Sequence, residues 1–260
     1  MRNVFNAFPM LVMVLIAWHS GVVFAQVVGS SSAPATNGTD PTSIAFNAKE
    51  ILRGLRDKNP QVRSKTLNDL KTLNDLESMH RLPSSIVEVV GDLLVHDTSG
   101  SNRVTAIHLL ARQYSPKRLE FVSRALEDKD RYIRANAVIK LGRWGPNAAS
   151  VVPKLLSALA DKRNEVSVSV TYPPIFRPLR YHIATAIGRI GPCGAKEALS
   201  QLVHAMKDET RGEDSSMVRV AAALAVIRIK NGDAEALQVL VDALSNPSEY
   251  VREEAASSIA

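Results

Sequence analysis

The 260-residue sequence predicts an all-α fold, a right-handed α-solenoid of about six helical hairpins. Three observations carry that expectation. Six arginines, Arg63, Arg103, Arg134, Arg180, Arg219 and Arg252, are each followed seven places later by an apolar residue: Leu70, Leu110, Leu141, Ile187, Val226 and Ile259. Each arginine is preceded by an acidic or amide residue, Asp57, Asp97, Asp128, Asp161, Asp208 and Asn246 in turn. Two of the links between units are nearly the same string, LGRWGP at 141–146 and IGRIGP at 187–192. Self-similarity of this kind marks stacked supersecondary units that share one core.

The elements follow in chain order. Residues 1–25 carry one charge, Arg2, then an apolar stretch at 10–18, a polar break at His19 and Ser20, and Val23-Phe24-Ala25. These are the n, h and c regions of a secretory signal, so cleavage is expected between Ala25 and Gln26. The apolar stretch is short for a spanning helix, which needs roughly 20 residues. Membrane attachment is therefore expected only if the signal segment is retained. Residues 26–43 (QVVGSSSAPATNGTDPTS) offer almost nothing to bury and read as a flexible linker. They contain one glycosylation sequon, Asn37-Gly38-Thr39, relevant only in a eukaryotic secretory pathway.

The repeat domain is expected over 44–260. The residues at −1, +3, +4 and +7 from each arginine fall on one stripe of a helix. At +4 these are Leu67, Ile107, Val138, Ala184, Ala223 and Ala256, and at −1 Val62, Asn102, Ile133, Leu179, Val218 and Val251. Two places before each acid or amide stand Leu55, Val95, Leu126, Leu159, Met206 and Leu244, the end of a second amphipathic helix. Each unit thus reads as helix A, a tight turn, helix B and a Gly/Pro link. Arginine-to-arginine spacings are 40, 31, 46, 39 and 33. The acid-to-arginine separation is 6 in four units but 19 and 11 in the fourth and fifth, which carry insertions of 13 and 5 residues. In the links, glycine is expected to end helix B in the left-handed conformation and proline to open the next helix. The chain stops at Ala260, the position held by Gly142 and Gly188 in other units. No polar capping helix follows there, which leaves an expected sticky terminal face and the option of a repeat segment detached from a larger assembly.

The pattern Asp…(Val/Ile)-Arg…Ala…(Leu/Ile)-Gly-Arg-x-Gly-Pro resembles HEAT repeats, and specifically the subtype first noted in phycobilin lyases. The resemblance covers nearly all of 44–260. It implies a structural role for the Asp and Arg columns, with the acid capping helix B and the arginine bonding to a neighbouring turn. Aspartate at a helix N-terminus is favourable on its own physics as well.

Composition narrows function only by exclusion. With 45% hydrophobic and 22% charged residues, 13 Gly and 13 Pro, the chain is neither collagen-like nor largely disordered. One cysteine, Cys193, cannot form an intrachain disulfide and is expected as a small buried residue at a repeat junction. The 32 Lys plus Arg against 26 Asp plus Glu give net +6 without a long run of one sign, which permits acidic partners without requiring them. The basic residues Lys117, Arg118, Arg124, Lys129, Arg131 and Lys140 cluster in the third unit, as in HEAT-like DNA glycosylases, but an exported chain is not expected to meet nucleic acid.

No His-x-x-x-His pair, HExxH string, CxxC pair, phosphate loop or nucleophile elbow occurs. His204 and Asp208 form a weak candidate pair, since Asp208 already serves a turn. Deoxyhypusine hydroxylases are similar in architecture but use His-Glu pairs at the start of helix B, where this chain reads Arg252-Glu253 and Arg134-Ala135. No enzyme activity, cofactor or metal is expected.

The departure that points to recognition is the insertion at 162–178. Val166, Val168 and Val170 alternate there with polar residues, which is a strand signal in a helical chain. Nine aromatic residues remain after the signal segment; Tyr172 and Phe176 lie in the insertion and Tyr181 just after it. Tyr172, Ile175, Phe176, Arg177 and Tyr181 are therefore the candidate partner-binding residues. The alternative is that the segment simply covers apolar surface. The smaller insertion, 209–215, lies on the same edge one repeat later, so the two are expected to sit side by side. Deletion of 165–176 is expected to leave the helices and their melting intact while abolishing capture of a partner. The expected function is an exported, non-catalytic scaffold that binds a protein. The alternative is a bilin lyase-like enzyme or subunit that holds an acidic ligand against basic side chains.

Overall fold

A computed structural model describes residues 47–76, 82–113, 115–171, 174–193, 196–208 and 212–259. The expected signal at 1–25 and linker at 26–43 lie outside the described residues. Residues 46–260 form one compact unit, and its described part contains twelve α-helices that pair in sequence as six hairpins. These are α1 (Ala48–Leu55) with α2 (Pro60–Leu76), α3 (Ser84–His96) with α4 (Gly100–Ala111), and α5 (Lys117–Arg124) with α6 (Arg131–Arg143). Then follow α7 (Val152–Ala160) with α8 (Leu179–Ile190), α9 (Lys196–Met206) with α10 (Glu213–Lys230), and α11 (Ala234–Ala243) with α12 (Glu249–Ile259).

The second helices stack in chain order, α2 on α4, α4 on α6, α6 on α8, α8 on α10 and α10 on α12. Among the first helices α1 meets α3, α3 meets α5 and α7 meets α9. The result is a two-layered α-solenoid with one continuous apolar core from Leu55 to Ala255. Burial follows the stripe set by the arginines: Leu67, Leu70, Ile107, Leu110, Val138, Leu141, Ala184, Ile187, Ala223 and Val226 are all buried. The stripe thins at both ends of the stack, where Val62 is 38% and Ile259 42% exposed. A single hairpin has nothing to cover its outer face, and here each internal unit is covered by two neighbours. On the last hairpin Leu237, Val241, Leu244 and Tyr250 are exposed as well.

The two glycines of each repeated link do different things. Gly145 and Gly191 have φ of 55° and 75°, the left-handed turn expected after helix B. Gly142 and Gly188 instead lie inside α6 and α8. A Cβ on them would stand 2.9 Å from Ala186 Cα and 2.8 Å from Ala225 Cα, so the absent side chain lets neighbouring backbones touch. Cys193 is exposed, not buried. It follows the positive-φ turn at Gly191, which carries the chain beyond the end of α8.

The described part of the smaller insertion is mostly helix. α10 begins six residues before Arg219, whereas α2, α4, α6 and α12 begin three before their arginines, so it gains one N-terminal turn. The 13-residue insertion forms a two-stranded antiparallel ribbon, β1 (Ser167–Val168) and β2 (Arg177–Pro178), with Ser167 opposite Pro178 and Val168 opposite Arg177. Among the described residues no helix is long and apolar enough to cross a membrane.

Candidate partner-binding site

The repeated acids and arginines form the frame. Arg63 donates two hydrogen bonds to the Asp97 carboxylate of the next repeat, at 2.7 and 2.9 Å, and two to its own turn at the Asp57 and Lys58 carbonyls, at 2.8 and 3.0 Å. Arg103 repeats the arrangement with Asp128, at 2.8 and 3.1 Å, and with the Asp97 carbonyl, at 2.8 Å. Such forked pairs bind strongly and in one geometry. Burial would raise the Asp97 carboxyl, but the Arg63 guanidinium, the Ser99 N–H and the Asn102 amide outweigh it and hold it below the usual carboxylate range.

The acids do not cap helix B as the family resemblance implied. Asp97 and Asp128 accept the N–H two residues on, from Ser99 and Asp130, and close the turn. The helix caps are those next residues, Ser99 on α4 and Asp130 on α6.

In repeat four the pattern splits. Asp161 keeps the turn, accepting the Arg163 N–H, and its carboxylate pairs with the Arg163 side chain. The inter-repeat role passes to Asn164, inside the insertion and 1% exposed, whose amide oxygen accepts from Arg134 at 2.8 Å. Arg180 lies 3.8 Å from Glu165, and its buried Nε has no hydrogen-bond partner among the described residues. Arg219 donates to the Met206 carbonyl, and Arg252 to the carbonyls of Asn246 and Pro247. Asp208, the acid of the fifth turn, ends the described part of that link.

What holds the insertion comes from two repeats further on. Arg177 pairs with Glu254 of α12 at 3.0 Å and lies over the Tyr181 ring, 5.0 Å from its centroid. The Tyr181 hydroxyl donates to the same carboxylate at 2.5 Å. Burial, together with Glu254, pushes the Tyr181 hydroxyl up to about 12. Ser167 donates to Asp214, in the turn that α10 gained, at 3.0 Å. The two insertions are therefore side by side. Val168 is fully buried, so deletion of 165–176 would open a hole against the repeats and disturb melting, contrary to expectation.

Of the five candidate binding residues, the structure presents two outward. Ile175 is 47% and Phe176 64% exposed. Arg177 is engaged by Glu254, and Tyr181 is 8% exposed, a base for the ribbon instead of an anchor. Ala135 and Val220, at the same register of the neighbouring repeats, are buried too, whereas Ser64 and Val104 are half-buried and Glu253 is exposed. Tyr172 lies outside the described residues.

Beneath the ribbon, between α4, α6 and α8, is a cleft of about 350 Å³. Its lining holds no carboxylate: Lys140, Arg143, Arg177 and Arg189 stand there with His108 and His182. Burial, then Arg177 and Arg189, pushes His182 down to about 4. Burial with Lys140 lowers His108, and burial with Arg143 and Arg112 lowers Lys140. His108 Nε2 stands 3.3 Å from the Asn136 amide oxygen. His182 Nε2 is buried without a hydrogen-bond partner among the described residues. The repeat alignment also holds a second arginine column that the sequence reading missed. Nine places after Arg103, Arg134, Arg180 and Arg219 stand Arg112, Arg143, Arg189 and Arg228, all exposed.

Comparison with known proteins agrees with this architecture. No curated protein matches the chain significantly. The complex of CpcE and CpcF of phycocyanin lyase from Nostoc sp. PCC7120 is similar in fold, with a TM-score of 0.51 and 19% identity over 89% of this chain and 80% of that one. Computationally designed armadillo repeat proteins for modular peptide recognition give a TM-score of 0.50 and 17% identity over 81% of this chain and 97% of theirs. The family model for HEAT repeats matches residues 87–170 and 176–260. The match covers more than half of the sequence, and the chain belongs to the HEAT repeat family.

Proposed function

We propose that the chain is an exported, non-catalytic scaffold that binds a protein partner through the insertion-bearing face of repeats four to six. The observation that carries this is the pairing of exposure with rigidity. Ile175 and Phe176 are exposed at the end of a ribbon whose base is fixed by buried Val168, by Arg177 with Glu254 and by Ser167 with Asp214. Apolar side chains held in place lose little freedom on binding, which is the property of interface anchors. Export is supported by the charge and hydropathy pattern of residues 1–25.

The test is affinity capture from the exported fraction with Ile175→Ser/Phe176→Ser, using Tyr132→Ser, at an exposed site in repeat three, as the control. The proposal expects the partner to be lost in the first variant only; equal recovery in both would contradict it. Mass analysis of the mature chain is expected to show Gln26 as its first residue, and an intact leader on the secreted protein would reject export by cleavage.

The basic cleft favours a second reading, a bilin lyase-like subunit that holds an acidic ligand. Added bilin would then shift its absorption on tight or covalent capture, whereas the scaffold reading expects an unchanged spectrum.

A further inference from the structure

We infer that the cleft beneath the ribbon is an anion site that receives an extended, carboxylate-bearing segment of the partner. This rests on the scaffold reading and names the chemistry of what the scaffold binds. The lining contains no Asp or Glu. Glu254 engages Arg177 but no other basic group of the cleft. Lys140, Arg143 and Arg189 make no ion pair among the described residues, and the buried His182 Nε2 lacks a partner. Cations gathered around one cleft without a counter-charge repel one another, and each raises the cost of the next. Burial first, and the neighbouring cations second, lower His182, His108 and Lys140, and a bound anion offsets both.

Geometry selects an extended segment over a lone ion. Arg143 and Arg189 line the cleft at one register of consecutive helices, and Arg228 holds that register on α10. Packed helices stand roughly 8–10 Å apart, and an extended peptide advances about 3.3 Å per residue. A carboxylate at every third residue therefore meets successive arginines.

The experiment is an NMR titration of the histidine ring resonances of the purified protein with a synthetic peptide of Glu-Gly-Ser repeated four times. The matching Lys-Gly-Ser peptide, acetate, inorganic phosphate and an oligo-dT strand serve as comparison arms. The acidic peptide is expected to shift His182 and His108 and to raise the apparent pKa of His182 by at least one unit. Its affinity should fall at least tenfold in Arg143→Gln and Arg189→Gln, exposed positions whose variants keep the parent circular dichroism, and should weaken with salt. An absent shift, or affinity unchanged in both variants, would overturn the inference. An equal response to acetate or phosphate would reduce the cleft to a small-anion site and overturn the extended segment, and tighter binding of oligo-dT would assign it to nucleic acid instead. Loss of capture in Ile175→Ser/Phe176→Ser with no peptide response would remove the anion site and leave the scaffold, whereas a peptide response with unaffected capture would do the reverse.

Discussion

Repeats one to three and repeats four to six hold themselves together differently. In the first half Arg63 and Arg103 each reach their own turn and the next acid, so Arg63–Asp97 and Arg103–Asp128 join neighbours through largely buried ion pairs. In the second half the ladder passes to the amide of Asn164 and then to backbone carbonyls. Cohesion there comes from backbone approach at Gly142 and Gly188 and from Glu254, which reaches back two repeats to fix the ribbon. The comparison teaches that regular turns build a uniform rod, while the place where the repeat is interrupted gains a surface with shape and charge of its own.

The sharpest break of that comparison is between two acids that look equivalent in sequence. Asp97→Ala should cost about 2–3 kcal/mol by chemical denaturation, because it removes both charge-assisted bonds from the part-buried Arg63 and one partner from the buried Asn102 amide. Asp161→Ala should cost no more than about 1 kcal/mol, for the turn hydrogen bond alone, since its ion-pair partner Arg163 is an exposed residue of the same turn.

A second difference is in acid. The ordinary pKa of His182 is 6.5 and its folded value about 4. As pH falls past 6.5 the unfolded chain takes a proton that the folded chain refuses, so stability present above 6.5 is lost progressively toward pH 4, by up to about 3 kcal/mol. His108, facing Lys140, Lys71 and Arg143, acts in the same direction. His182→Gln should flatten this slope in pH-dependent denaturation. By contrast, Asp97, whose folded pKa is depressed, gives up its contribution only as pH falls below the usual carboxylate range.

Gly188→Ala forces a Cβ within 2.8 Å of Ala225 Cα and should cost about 1–3 kcal/mol. In the first half Gly100→Ala would meet Asp130 Oδ2 at 3.4 Å and Arg103 Nη2 at 4.0 Å, ordinary contacts, and should be close to neutral. The smallest expected effect is that of Glu254→Gln, about 1 kcal/mol for a partly exposed pair. Its signature is local: faster amide exchange in β1 and β2 with no change in α2 or α4.

Much of this was legible in the sequence. The six arginines with their apolar followers define the hairpins, and the length of the fourth turn places the insertion whose Ile175 and Phe176 prove exposed. What was not legible depends on contacts between repeats. The inter-repeat role of Asn164 sits three residues past the acid that aligns, because the insertion shifts the turn. The first glycine of each link reads as a terminator until its neighbour's backbone is seen. Glu254 and Tyr181 lie 73 residues apart, and nothing local announces that they meet.

The central claim is that recognition occurs on the interrupted half of the stack. A photo-crosslinking residue placed at position 176, and in a parallel protein at position 132, tests it most directly. The account predicts a specific adduct with one exported protein from position 176 that is absent from 132. Equal adducts from both positions, or an adduct from 132 alone, would contradict it.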